Sequence, residues 1–171
     1  KDFAESPKPF IIPNNKIVLQ YRNLLSNLKK IKIGLSWKTI GANNKERYIS
    51  LQNLSKIITH DDFVFINLQY GDTKDERNKF EEKFGKKIIE IKDLDLNNDF
   101  DSLAALIQNC DLILTISNFT AHLAGSIGKK TWIMIPLDTQ WHWFYKRNNS
   151  LWYPNIRIFR QSKYGDWKDV L

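Results

Sequence analysis

Six short apolar runs punctuate this chain, and their spacing restricts it to very few folds. They are Ile31–Trp37, Phe63–Leu68, Lys87–Ile91, Leu112–Ile116, Thr131–Ile135 and Ile156–Phe159. Each is bounded by polar or turn residues and is shorter than a typical helix, so all read as strands. Helical patterns fill the gaps between the first five. Ser50 caps a stretch ending near His60, and Asp72–Phe84 is charged, amphipathic and closed by Gly85. Asp101–Asn109 is a third helix, and Asn118–Ile127 a fourth, stopped by Gly128. Ahead of the first run, an extended opening with Pro7, Pro9 and Pro13 leads into a helical pattern from Lys16 to Lys30. Strands alternating with helices make βαβ units and a parallel sheet with right-handed crossovers. The strands are apolar almost throughout, as expected when both faces are covered. The expected fold is a doubly wound, Rossmann-like α/β domain of strand order 3-2-1-4-5-6. Its crevice opens between the carboxyl ends of strands one and four. Residues 1–30 read as a connector and leading helix, 31–160 as the Rossmann-like domain, and 161–171 as a C-terminal tail or helix.

A chain of 171 residues matches one domain with a single core. Its 42% hydrophobic and 13% aromatic content is that of a globular protein rather than a disordered one. No apolar run approaches the roughly 18 residues of a membrane span, and no signal peptide opens the chain. The first residue is Lys1, and the chain reads as a fragment. Cys110 is the sole cysteine, so no internal disulfide forms, and no Cys/His cluster has metal-ligand spacing. It reads as a small buried residue, and a reducing cytoplasm fits. The formal charge of +7 admits nucleic acid, an anionic membrane surface or a phosphorylated ligand. The cations Lys29, Lys30, Lys32, Lys86, Lys87, Lys129 and Lys130 are scattered in short groups, as solvated lysines are, and no nucleic-acid recognition motif accompanies them.

The switch-point rule directs attention to the loops after Trp37 and Ile116. After Ile116 come Ser117, Asn118, Phe119, Thr120, Ala121 and His122, with good helix-start residues followed by the small residues Ala121, Ala124 and Gly125. Free amides and the positive end of the helix dipole suit a diphosphate, and an ordinary capped helix explains the same residues equally well. His122, in the second turn, reads either as facing a phosphate or sugar or as structural. The long loop after Trp37 carries Lys38, Lys45 and Arg47, of which Arg offers a bidentate phosphate grip and Lys a point charge. After the second strand, Gln69, Tyr70 and Gly71 either border a base or form a plain turn.

The run DLILTISNFTAHLAGSIGKKTWIMIP, followed by QWHWF, SLWYPNIRIFRQ and GDW, resembles the C-terminal domain of heptosyltransferase-like glycosyltransferases. It is most similar to the bacterial group that carries tetratricopeptide repeats ahead of a GT-B catalytic region. KIGLSWKT, ERYISLQNL and FINLQYGD fall in the same order and spacing, so the resemblance covers about residues 30–171. The resemblance implies a GT-B fold in which this half binds the nucleotide sugar, with UDP, GDP or ADP as the nucleotide. An absent N-terminal half would supply most of the acceptor site and the base. On that likeness Ser117, Asn118, Phe119, Thr120 and the adjacent amides, Ala121 included, hold the diphosphate, and His122 matches the family histidine. Lys38, Lys45 and Arg47 neutralise phosphate charge, Gln69, Tyr70 and Gly71 border the base, and Lys38 and His122 are the catalytic candidates. Neither a metal nor a separate cofactor is required, because helix dipole and cations can stabilise the departing diphosphate.

The chain also departs from that pattern. Many relatives begin this helix Asp-Thr-Gly, where this chain has Ser117, Asn118 and Phe119. Asp138 is a substitute for the missing carboxylate, or a turn residue. Trp141, Trp143, Trp152 and Tyr153 stack on a sugar or pack a tail on the domain. Two other classes stay open: a non-catalytic binding module on the same scaffold, and a sugar-nucleotide epimerase.

Overall fold

The computed structural model describes residues 8–39, 49–138 and 140–171. Six parallel strands form one sheet of order β3-β2-β1-β4-β5-β6, the order expected from the apolar runs. They are β1 (Ile31–Ser36), β2 (Phe63–Asn67), β3 (Ile88–Ile89), β4 (Leu112–Ile116), β5 (Thr131–Ile135) and β6 (Ile156–Arg160). The helices are α1 (Asn15–Leu24), α2 (Ser55–Ile58), α3 (Lys74–Phe84), α4 (Phe100–Asn109) and α5 (Phe119–Ile127).

Alternation along each strand feeds two cores. Ile33, Leu35 and Trp37 of the β1 segment, Phe65, Leu114, Ile116 and Met134 lie on one face, packed with Ile58 of α2, Phe80 of α3 and Trp167 of the tail. On the other face Ile66, Leu68 and Ile113 meet Leu103, Leu106 and Ile107 of α4 and Leu123, Ala124 and Ile127 of α5. Ile133, Ile135, Ile156 and Ile158 continue that face under Ala121 and Trp143. With both faces covered, strands need no polar side, and their sequences have almost none.

Local chemistry sets the helix ends. Asn118 caps α5 by accepting from the Ala121 amide, and Asp99 caps α4 by accepting from Ser102. Gly85 and Gly128 end α3 and α5 with φ of 66° and 79°, the left-handed turn that favours glycine. Gly125 has a different role. A Cβ there would stand 2.5 Å from the Tyr153 ring, so the glycine admits that ring as well as close approach to the sheet.

Three elements are shorter than their sequence patterns. The stretch opened by Ser50 winds first through turns, with Asn53 N donating to Ser50 O at 3.0 Å, and is helical only over Ser55–Ile58. β3 keeps only Ile88 and Ile89 in register, and the next residue, Glu90, pairs with Arg77 of α3 at 2.9 Å. α1 ends at Leu24 and lies against α4, where the Asn109 carboxamide donates to Val18 O at 2.9 Å. The tail from 161 to 171 is turns rather than helix, anchored by Trp167. Cys110 is buried, and burial pushes its thiol up to about 12, so it is an inert core residue.

Candidate functional site

The reversal of winding between β1 and β4 leaves the start of α5 at the carboxyl edge of the sheet. Asn118 does not offer its side chain outward there. Its Nδ2 donates to Ser36 Oγ on β1 at 2.7 Å, and its Oδ1 accepts from Thr115 Oγ1 at 3.1 Å and the Ala121 amide at 3.3 Å. It therefore clasps β1 to β4 and caps the helix at once. The first amides of a helix lack intrahelical acceptors, and this cap takes Ala121, while those of Phe119 and Thr120 bond to no described residue. In the same turn the Thr120 hydroxyl is fully buried with no hydrogen-bond partner among the described residues. Phe119 is 44% exposed and lies on Phe100 at 4.9 Å.

Gln69 is buried, and its Oε1 accepts three bonds at once: from Ser36 Oγ at 3.0 Å, the Trp37 amide at 2.8 Å and the Lys38 amide at 2.9 Å. It fixes the end of β1, and its own amide donates to Tyr70 O at 2.9 Å. Tyr70 is partly buried, and the exposed Gly71 turns at φ 77°. Any base reading from this loop would come from the backbone and Tyr70, since the Gln69 side chain is committed.

Lys38 is also committed. Its ammonium pairs with Glu76 of α3 at 2.9 Å, and the same carboxylate accepts from the Trp37 indole at 3.1 Å and the Leu51 amide at 3.3 Å. Lys38 thus points toward α3 and away from the α5 start. Lys45 and Arg47 lie outside the described residues.

On the β5 side an aromatic cluster surrounds His122. Its ring stacks on Trp143 at 5.2 Å and meets His142 at 5.0 Å, while Nδ1 is 3.2 Å from the Tyr153 hydroxyl. Burial, reinforced by His142, holds His122 below its ordinary range, so it is a neutral hydrogen-bonding ring at pH 7. Burial also lowers His142, whose Nε2 is buried without a partner among the described residues. Trp143 is fully buried and donates its indole N–H to Ser117 Oγ at 2.8 Å, while Ser117 donates to Gln140 at 2.8 Å. The tryptophans therefore divide: Trp143 is core, whereas Trp141 is 76% exposed and meets Trp152 edge-on at 6.1 Å. Asp138 is exposed in the loop after β5.

The sequence reading missed Ser36, Glu76, Arg160 and Gln161. Arg160 ends β6 at the same sheet edge as the α5 start. One of its guanidinium nitrogens donates to Phe144 O at 2.6 Å and another is buried without a partner among the described residues. Phe144 itself is held at φ 51°, a conformation uncommon for a bulky residue and found most often near functional sites. A cation at the end of a parallel strand was the available signal for Arg160. Among the described residues no three His, Cys, Asp or Glu side chains are placed to hold a metal, and no helix is long and apolar enough to cross a membrane.

The chain shares the fold of heptosyltransferase-like glycosyltransferases. It superposes on a family 9 glycosyl transferase of Veillonella parvula with a TM-score of 0.67 at 15% identity, covering 94% of this chain and 44% of that one. On E. coli ADP-heptose LPS heptosyltransferase II the TM-score is 0.60 at 14% identity, covering 91% and 46%. Protein FlbA of Caulobacter vibrioides is 32% identical in an alignment of 148 residues that covers 82% of this chain and 24% of FlbA. The chain thus spans about a quarter of the length of that curated relative. No family model matches the chain.

Proposed function

We propose that this chain is the donor-binding part of a glycosyltransferase that moves a sugar from a nucleotide diphosphate to an acceptor. The observation that carries the reading is the α5 start: a helix N-terminus at the switch point, with open Phe119 and Thr120 amides beside a buried, unpartnered Thr120 hydroxyl. As the bond from the anomeric carbon to the diphosphate breaks, negative charge builds on the departing phosphate. Amides held at a helix start are already oriented for that charge and need no reorganisation, nor does this step call on a metal. Arg160 is the favoured cation in place of Lys38, which Glu76 occupies. The neutral His122 would bond a phosphate or sugar oxygen rather than supply charge. Tyr70 and the Gly71 backbone would border a UDP, GDP or ADP base. The group that deprotonates the acceptor hydroxyl would lie in the other half of the polypeptide, with the tetratricopeptide repeats of the group it resembles. A cytoplasmic setting goes with this reading.

Thermal unfolding against UDP, GDP, ADP and CMP tests the proposal. A diphosphate at about 100 times its dissociation constant adds about 2.7 kcal/mol, which raises the midpoint by about 5–10 °C at this size. Phe119→Asp, at an exposed first helical position, should leave the fold intact and abolish that rise, because its carboxylate competes for the same amides. Arg160→Ala should reduce it. No rise with any nucleotide overturns the reading.

One observation favours the scaffold alternative. On the β1 side of the crevice Ser36, Gln69, Asn118, Lys38 and Glu76 satisfy one another, as in a site that binds nothing. That alternative expects a flat nucleotide panel.

A further inference from the structure

At the opposite edge of the sheet, around the amino ends of β5 and β6, lies a groove of about 430 Å3. Lys130, Trp132, Asn148, Asn149, Asn155 and Arg157 form most of its wall. The register places Trp132 beside Arg157 on neighbouring strands, and alternation turns both outward. Trp132 is 36% exposed and packs against Phe159 at 5.4 Å. The Arg157 guanidinium lies 5.0 Å from the centre of that same Phe159 ring, which holds it near the indole.

The polar groups of the groove are partly spoken for, and the remainder is informative. Asn155 donates its amide to Gly128 O, leaving its oxygen. Asn149 Oδ1 accepts from Arg147 at 3.1 Å, leaving its amide protons. The Asn148 side chain bonds to no described residue. Free donors and acceptors thus line the groove together with the partly exposed indole of Trp132. Neither Lys130 nor Arg157 has a carboxylate partner among the described residues, and no acidic side chain lines the groove.

We propose that this groove binds an acidic saccharide, a sugar ring carrying a carboxylate or a phosphate. A pyranose presents an apolar C–H face to an indole and hydroxyls that both donate and accept to carboxamides. Its acid group would meet Arg157 and Lys130. An extended acidic peptide would need the free edge of β6. That edge is taken by residues 148–150, with Ile158 N donating to Asn148 O at 2.8 Å and Asn149 bridging Arg157. A nucleic-acid strand would need a longer row of cations than these two. The groove lies at the edge of the sheet opposite the α5 start, remote from the donor site proposed there.

The test is a heteronuclear NMR titration of this chain with glucuronic acid, glucose 6-phosphate, glucose and tetraglutamate, each to about 50 mM, since single sugars bind in the millimolar range. The Trp132 indole N–H and the Asn148 and Asn149 side-chain amides should shift with one or both acidic sugars. The two acidic arms tell a carboxylate site from a phosphate site. Glucose should bind at least about tenfold more weakly, and Arg157→Gln, an exposed change, should cost the acidic sugar about tenfold. Trp132→Leu should weaken both acidic and neutral sugars. The proposal is overturned if no probe shifts these resonances. It also fails if tetraglutamate shifts them as strongly as the sugars do, or if Arg157→Gln leaves the affinity unchanged.

Discussion

The carboxyl edge of the sheet has two sides that treat their polar groups in opposite ways. On the β1–β2 side the polar groups of the described residues satisfy one another: Gln69 takes three donors, Ser36 links Gln69 to Asn118, and the half-buried Glu76 takes Trp37, Lys38 and Leu51. On the β4–β6 side Thr120 Oγ1, His142 Nε2, an Arg160 guanidinium nitrogen and Gln161 Nε2 are all buried without partners among the described residues. A closed network stiffens the scaffold at the switch point. An open one costs stability, because each buried polar atom left unbonded is a net penalty, and such atoms concentrate where a ligand completes them. On the donor-binding proposal, the β1 side holds shape and the β4–β6 side is where a ligand would bind.

The largest effect expected from breaking this comparison is at Gln69. Gln69→Leu strands the Ser36 hydroxyl and two amides in the core, at a cost of about 3 kcal/mol. Urea unfolding would show it as a lower midpoint with unchanged slope, and a loss below about 1 kcal/mol would mean that water can replace the network. Next comes a matched pair of hydroxyl deletions. Ser36→Ala removes a buried donor and acceptor and should destabilise by about 2 kcal/mol. Thr120→Val removes a hydroxyl that bonds nothing and should be neutral or stabilising by up to about 1 kcal/mol, while weakening any diphosphate response. Equal losses at both positions would erase the distinction between the two sides. Smaller still is Lys38→Met. Its ion pair is partly exposed, at 28% and 32% for the two side chains, so the change should cost less than about 1 kcal/mol and leave the nucleotide response intact.

The sheet order was readable because apolar runs buried on both faces leave an unbroken signature, and βα alternation admits few topologies. That order alone singled out the crevice between β1 and β4 as the candidate site. It did not give the direction of the side chains there. Asn118 and Gln69 are polar residues in the loops that follow β4 and β2, which in sequence look like ligand contacts. Only the pairing of β1 with β4 and with β2 turns Asn118 and Gln69 inward onto Ser36. Lys38 shares this history, since its partner Glu76 lies on a separate helix. Arg160 was hidden for the opposite reason, at the end of a strand read only as sheet edge. The tryptophan-rich stretch mixes core and surface because Trp143 finds Ser117 and a pocket under α5, while Trp141, two residues earlier, does not.

The smallest effect expected is a pH dependence confined to the binding side. Burial holds the folded His122 below the 6.5 of an exposed histidine, and His142 adds to the depression. The unfolded chain therefore takes up a proton first as pH falls, so the stability linked to this ring is complete above about pH 7 and declines toward about pH 5. Its neighbours at Nδ1 and over the ring, Tyr153, Trp143 and His142, offer no carboxylate to reverse that sign. Melting midpoints measured from pH 8 to pH 5 should fall on the acid side, and His122→Asn should flatten the fall. A midpoint that rises on acidification would mean that the folded ring gains a proton. In that case His122 would be a cation after all, and the β4–β6 side would carry two positive groups for a diphosphate instead of Arg160 alone.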